Sequence, residues 1–522
     1  MNDITFGTDG WRGVIADDFT YDSARRAAAA IAEVFAQDCE DGPSGKKLMV
    51  GYDMRFEAGS FARAVAEVVV QAGFEAALSN RPIPTPGLCY CISHDDEAVG
   101  GLMLTASHNP SAWLGIKVRM ADGGAAPSSF TDRIEALLDN HADDTKAPAR
   151  ASRSEADVAE GDCVLQSSPS SPCRSVRSHA SAVFSVPATK PGSVIETDLI
   201  DTYLEGLRDS LRMFAPISKD AASRETEQLA LKVIVDPMYG AGQGYLADLM
   251  REQGIEVIEI HADRNPGFGG LHPEPIPPWT DQAAEAVIEH DAAAAFIVDG
   301  DGDRVGAIDE NGAFVSPHRI LALLVQHLVE DLGRDGRIIK TLALSTTIER
   351  LGVQLGKQVD VRPIGFKWVY EDMLKGDVLI GGEESGGIGI ADHVRERDGL
   401  LMAMLLLQMM RVRNKTLGQL VYDLEDQVGK MYYLRRDLKL DQETAEKFRN
   451  ELVHSSPTQM AGRQVVSVDH MDGLKLLFDD DEWLLLRGSG TEPLIRIYSE
   501  ANTPEQLDAY LDAGCAYVQG QP

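Results

Sequence analysis

Apolar residues follow two rhythms along this chain. Runs of four to eight apolar residues end in Gly/Asp-rich loops, and between them lie stretches whose apolar positions recur every three or four residues. The first pattern predicts buried strands and the second predicts helices packed on both faces of the resulting sheets. Residues 48–55 (LMVGYDMR), a helix over about 60–72 and residues 100–107 (GGLMLTAS) form one such unit. A second comprises 231–240 (LKVIVDPMYG), a helix near 245–253, 255–260 (IEVIEI) and 292–303 (AAAAFIVDGDGD). A third has a helix over about 317–332, then 337–345 (RIIKTLALS) and 377–385 (DVLIGGEES). The last ~95 residues alternate strand-like segments before a helix from about Pro504, which reads as a separate α+β domain. In open α/β sheets ligands sit at the carboxyl ends of strands. The loops that follow these strands are where chemistry is expected.

Two stretches break the pattern. Residues 400–410 are apolar except for Gln408 and far short of the ~20 residues a membrane span needs, so they predict a core helix. From about 140 to 192 the chain is rich in Ser, Ala and Pro without periodicity, as in SSPSSPCRSVRSHASAVFSVP; a mobile insertion is expected.

With 522 residues, 44% of them hydrophobic, the chain has material for three or four domains and is not disordered as a whole. Its net charge of −33 argues against general binding to nucleic acid or anionic membranes. The same field repels phosphorylated metabolites, so a site for one must concentrate positive charge locally. The basic residues are mostly Arg, a balance that suits concentrated salt. Six cysteines with no CxxC pair suggest thiols in a reducing compartment rather than disulfides or zinc. The start, MNDITFGTDGWRG, lacks the features of a signal peptide, and a cytoplasmic location is expected.

The strongest local signal is DGDGDR at 299–304. Asp299, Asp301 and Asp303 alternate with glycines, so the backbone can curl their oxygens around one hard cation such as Mg²⁺, with Arg304 next to them. Together with Glu310 the three also match the calcium-loop spacing. Against that reading, Arg304 occupies the sharp-turn position, and the approach AAAAFIV reads as a strand. TASHNP at 105–110, with Lys117 ten residues after Ser107, places a Ser at a strand end where it can carry a phosphoryl group. His108 beside it invites a hydrolase reading, but adjacent residues on an extended chain face opposite ways, and no G-x-S-x-G elbow is present. GGEESGG at 381–387 can aim Glu383 and Ser385 together at vicinal sugar hydroxyls. RGSGTEP at 487–493 offers Arg487, Ser489, Gly490 and Thr491 as a phosphate cradle, with Arg496 adding charge. The glycines of YGAGQGY (239–245) read as a tight strand–helix turn, because Tyr245 stands where a dinucleotide fingerprint needs Gly.

The order FGTDGWRG (6–13), TASHNP with Lys117, DGDGDR, GEESGG and RGSGTEP resembles the α-D-phosphohexomutase family, the phosphoglucomutase/phosphomannomutase enzymes. DPMYGAGQGYL (236–246), NPGFGGLHPEPI (265–276) and ERDG (396–399) are similar as well, and the resemblance spans nearly the whole chain outside 140–192. It implies three related α/β sandwiches and a mobile C-terminal α+β domain around a central cleft. The expected bounds are 1–197, 198–304, 305–427 and 428–522. It implies phosphate on Ser107 and Mg²⁺ held by Asp299, Asp301, Asp303 and the phosphoserine. Glu383 and Ser385 would contact sugar hydroxyls, and Arg487, Ser489, Gly490, Thr491 and Arg496 would grip the distal phosphate. Arg12, Lys117, His108 and Arg304 would line the reacting centre.

Lys117 is the expected general acid or base, since a Lys crowded by cations has a lowered pKa. The implied reaction interconverts glucose 1-phosphate and glucose 6-phosphate, and mannose phosphates with them, through a hexose 1,6-bisphosphate that also primes the enzyme. A monomer or homodimer is expected. Two features depart from the family pattern: Trp113-Leu114-Gly115 follows TASHNP, and Gly387 stands where dual-specificity members carry a His, with Lys367 a candidate substitute. A phosphoglucosamine mutase is the runner-up, disfavoured by Gly302 and Glu384. A Mg²⁺-dependent sugar-phosphate phosphatase and a non-catalytic sugar-phosphate or calcium binder are the readings from other classes.

Overall fold

The computed structural model describes residues 4–7, 9–144, 193–216, 231–489 and 493–520. Of the expected insertion, the part from 145 to 192 lies outside the described residues, as do Gly490 and Thr491.

Strands β1 (Trp11–Val14), β2 (Lys47–Tyr52), β3 (Glu75–Ser79), β4 (Ala98–Leu104), β5 (Trp113–Met120) and β6 (Val194–Thr197) form a sheet ordered β1-β5-β4-β2-β3-β6. A second sheet joins β7 (Lys232–Asp236), β8 (Glu256–Glu259), β9 (Ala294–Val298), β10 (Val305–Asp309) and β11 (Phe314–Val315) in the order β11-β10-β9-β7-β8. A third joins β12 (Arg337–Thr341), β13 (Val359–Arg362), β14 (Val378–Gly382) and β15 (Ile388–Gly389) in the order β13-β12-β14-β15.

One motif recurs in all three. A first strand pairs in parallel with the next two, and the third then pairs antiparallel with a return strand: β3-β2-β4-β5, β8-β7-β9-β10 and β13-β12-β14-β15. The connection before each return strand carries one of the predicted loops. TASHNP lies between β4 and β5, DGDGDR between β9 and β10, and EESGG between β14 and β15. Three chemically different loops therefore occupy one topological position. The approach to DGDGDR is strand, not helix, and Glu310 turns away to accept hydrogen bonds from Thr416 and the Gly418 amide, so the calcium-loop reading falls.

The C-terminal sheet is antiparallel. It orders β16 (Tyr432–Lys439), β22 (Leu494–Ala501), β21 (Trp483–Gly488), β20 (Leu474–Leu477) and β19 (Ser467–Asp469). Between β16 and β19 lies a small ribbon of β17 (Gln459–Met460) and β18 (Arg463–Gln464), and RGSGTEP joins β21 to β22.

A single apolar core runs from Leu88 and Tyr203 through Phe296 to Leu324 and Leu344, tying the first three units together. The apolar stretch at its centre is the helix Gly399–Arg413, begun by Asp398, whose carboxylate accepts from the Leu401 amide at 2.9 Å. Each Leu or Met buried there contributes about 1.5–3 kcal/mol, which is why its sequence has no polar face. The C-terminal unit has its own core around Leu484, Ile495 and Tyr510, and meets the third unit where Trp483 and Tyr498 pack on Leu342 and Ala343. Among the described residues no helix is long and apolar enough to cross a membrane. Cys89 and Cys91 are buried free thiols, pushed upward in pKa mainly by burial.

Candidate active site

Asp299, Asp301 and Asp303 are fully buried, and one oxygen from each lies within 4.8 Å of the others. The Thr85 hydroxyl donates to Asp301 Oδ2 at 2.5 Å, and the Asp303 amide donates to Asp299 Oδ1 at 3.0 Å. Asp301 Oδ1 and Asp303 Oδ1 have no hydrogen-bond partner among the described residues. Two orphaned carboxylate oxygens in a dry pocket are costly unless a cation completes them, so the donor set fits a hard divalent ion. Burial, then Asp303 and Asp301, push the Asp299 carboxyl well above its usual range.

Ser107 meets this triad from the first unit. Its side chain is buried, and its Oγ donates to Asp299 Oδ2 at 3.1 Å. The backbone there is left-handed, with φ +51°, a costly conformation for a non-glycine residue that the surroundings must impose. The Thr105 hydroxyl accepts from the Ser107 amide at 2.8 Å. From beneath, the buried Arg55 guanidinium donates to the carbonyls of Ser107, Asn109, Pro110 and Trp113 and pairs with Asp53 at 3.1 Å. Gly300 lets the two loops touch, since a Cβ there would lie 2.6 Å from the Ser107 carbonyl. Arg55→Met removes the counter-charge of the buried Asp53 and the guanidinium bonds to four carbonyls. It is expected to cost about 3–5 kcal/mol of stability, measured as a lowered urea midpoint.

The expectation that Ser107 and His108 face opposite ways is corrected. The left-handed turn brings His108 Nδ1 within 3.4 Å of Ser107 Oγ. Burial, then Arg304 and Arg12, hold the imidazole well below its ordinary pKa, so it is neutral at pH 7. Arg12, on the edge strand β1, donates to the Asn109 side chain, and Arg304 reaches Glu274 at 3.4 Å, with Asp299 and Asp303 at 3.9 Å.

The expected pKa of Lys117 is reversed. Its ammonium lies 2.8 Å from Asp301, 3.0 Å from Asp303 and 3.0 Å from Asp9. Burial disfavours the charge, but these three carboxylates outweigh burial and the net shift is upward. These neighbours favour its protonated form.

In the sugar loop Glu383 is buried, and burial pushes its carboxyl up to about 7 against the pull of Arg397. Ser385 is half-buried and lines a cavity of about 560 Å³ with Glu384, Glu274, Arg435 and Tyr433. Lys367 lines a separate cavity of about 210 Å³ beside Asp9 and Gly10, its Nζ 4.8 Å from the Trp368 ring. On the C-terminal unit Arg487 and Arg496 are cross-strand partners in β21 and β22, and Ser489 is buried at the turn. Arg487 Nε donates to Asp472 at 2.8 Å; among the described residues no hydrogen bond or ion pair joins Arg487 to the metal loop.

Three charged groups at the centre were not singled out from the sequence. Asp9 pairs with Lys117, Arg119 and Arg397; Arg397 pairs with Asp303, Asp9, Glu383 and Glu396; and Glu396 also meets Arg119 at 3.1 Å. Their signal was faint, Asp9 being a charge beside a glycine in FGTDGWRG and Glu396 and Arg397 two of the adjacent charges of ERDG.

Known proteins match this architecture. Family models described as phosphoglucomutase/phosphomannomutase domains I, II, III and C-terminal match residues 3–144, 202–312, 316–428 and 442–515, in that order along the chain. A phosphomannomutase structure from Thermus thermophilus superposes with a TM-score of 0.77 at 32% identity, covering 99% of this chain and 100% of that one. A phosphoglucomutase/phosphomannomutase from Thermococcus kodakarensis is 26% identical, over 98% of each chain. A phosphoglucosamine mutase from Limosilactobacillus reuteri is 28% identical, over 97% of this chain and 96% of its own. With all four domains matched in order and nearly the whole chain covered, the chain belongs to the phosphoglucomutase/phosphomannomutase family of isomerases.

Proposed function

We propose that this chain interconverts glucose 1-phosphate and glucose 6-phosphate through phospho-Ser107 and glucose 1,6-bisphosphate. The observation that carries the reading is Ser107 Oγ at 3.1 Å from Asp299, at the mouth of three buried carboxylates. Phosphoryl transfer asks a protein for in-line positioning and charge neutralisation more than for covalent invention.

The free hydroxyl of the sugar phosphate attacks phosphorus, the Ser107 Oγ–P bond breaks, and the hydroxyl proton leaves to a nearby base. The bisphosphate turns around in the cleft, and its other phosphate returns to Ser107 by the reverse step. Asp299, Asp301, Asp303 and a Ser107 phosphate oxygen would hold Mg²⁺, which when bound supplies Lewis-acid polarisation of the phosphoryl group. Arg12, Arg304 and Lys117 offset negative charge on the transferring group. Glu383 and Ser385 read hydroxyls near the middle of the ring in either orientation. Arg487, Ser489, Gly490, Thr491 and Arg496 anchor the phosphate that is not reacting.

A relative named phosphoglucosamine mutase over nearly the full length favours glucosamine 1-phosphate as the second reading. A coupled assay over glucose, mannose and glucosamine 1-phosphates, with Mg²⁺ and a bisphosphate primer, decides between them. Turnover is expected to be highest with glucose. Release of free phosphate in step with sugar consumption would instead identify a phosphatase.

The protonation of Glu383 gives a pH test. Ionised, it accepts from sugar hydroxyls with both oxygens and more strongly than when protonated, and its pKa is raised to about 7. The kcat/KM is therefore expected to rise as pH climbs through about 7. Glu383→Gln should flatten that limb and lower kcat/KM about 10- to 100-fold.

A further inference from the structure

Gly387 closes the sugar loop, and the space where its side chain would stand is already taken. A Cβ at 387 would lie 2.4 Å from Arg397 Cδ and 3.0 Å from Glu383 Oε2. Arg397 cannot step aside cheaply. Its side chain is only 8% exposed, and four carboxylates from three sheet units hold it: Asp9 at 2.8 Å, Asp303 at 2.9 Å, Glu396 at 3.0 Å and Glu383 at 3.4 Å. Phe366 covers the guanidinium, its ring centroid 5.4 Å away.

Two of those carboxylates do different jobs in the proposed reaction. Asp303 belongs to the metal triad, and Glu383 reads the sugar. One nitrogen of Arg397 faces the first, and the other faces the second. A planar guanidinium can hold both at fixed separation, whereas an ammonium can serve only as a point charge.

We propose that Arg397 is a positioning residue that locks the sugar-reading loop to the metal loop, and that position 387 is glycine because the Arg397 stem fills that space. Lys367, the substitute expected from the sequence for a missing side chain at 387, lies instead beside Asp9 in another cavity. This inference rests on the mutase reading above.

Steady-state kinetics of five proteins test it: wild type, Arg397→Lys, Gly387→Ala, Arg397→Ala and the Gly387→Ala/Arg397→Ala double variant. Misplacing Glu383 weakens sugar binding, so Arg397→Lys and Gly387→Ala should each raise KM for the hexose phosphate at least about 10-fold, with kcat also reduced. A purely structural role would lower the active fraction, and hence kcat, and leave KM unchanged. Where Arg397 is already Ala the clash with its stem is gone and only the Glu383 side-chain oxygen at 3.0 Å remains, so adding Gly387→Ala should raise KM clearly less than it does in the wild type. Unchanged KM in Arg397→Lys, or an equal cost of Gly387→Ala in both backgrounds, overturns the proposal. Should Arg397→Ala fail to fold, the KM values of Arg397→Lys and Gly387→Ala decide alone. Absence of wild-type turnover with every hexose 1-phosphate would sink the mutase reading instead; calorimetric affinity for glucose 1,6-bisphosphate then reads the same comparison.

Discussion

Ser107→Ala is expected to lower mutase turnover at least about 10³-fold while leaving hexose phosphate affinity and melting temperature near wild type. The loss follows from chemistry, since the oxygen that breaks and re-forms the P–O bond is gone. Preservation of the fold follows from what holds the loop. The Thr105 hydroxyl bonds the Ser107 amide and Arg55 bonds the Ser107 carbonyl, so both anchors reach backbone atoms that Ala keeps. Ala bears the same left-handed backbone cost as Ser. Of the hydrogen bonds described, the side-chain contacts to Asp299 and His108 are the ones lost. Mass spectrometry of the wild-type protein after incubation with glucose 1,6-bisphosphate should show one phosphate on the peptide containing Ser107, absent in the variant. Turnover retained by Ser107→Ala would remove the phosphoserine from the mechanism.

The residues that were readable in the sequence announce themselves locally. DGDGDR packs three carboxylates and two glycines into six positions, and no partner from elsewhere is needed to see a cation site. The apolar stretch at 400–410 likewise predicts its own burial, and the structure places it in the Gly399–Arg413 core helix. What stayed hidden depends on segments far apart in sequence. The return strands β10 and β15 begin inside or just after the reactive motifs, and β15 is only two residues long, too short for any periodicity. Without them the shared position of the three loops is invisible. Asp9 lies in a glycine-flanked turn and Arg397 in the charged run 395–398, 388 residues apart, and they meet only because three sheets converge. The left-handed φ of Ser107 follows from Arg55 pulling on four carbonyls, and nothing in TASHNP records it.

The surroundings of Lys117 were misjudged for the same reason, and they set up the second large effect. The sequence places Lys117 among motifs rich in Arg, but its ammonium reaches Asp301, Asp303 and Asp9. A cation so held stays protonated through the neutral range. Lys117→Met is therefore expected to lower turnover about 10³-fold without changing the shape of the pH–rate profile, because a fixed charge is lost and not a titrating base. Asp9 and Asp303 keep Arg397, but Asp301 loses its one ion-pair partner among the described residues, so the metal-free variant should be less stable by about 3–5 kcal/mol. A divalent cation and the ammonium share the same oxygens, so the ion binds the variant's folded state without that competitor. By linkage, millimolar Mg²⁺ should then raise the melting temperature of Lys117→Met more than that of the wild type. An equal rise in both proteins would mean that Lys117 does not compete at the triad. A lost acid limb in the pH–rate profile would mean that Lys117 titrates after all as a general base, and a lost alkaline limb that it titrates as a general acid.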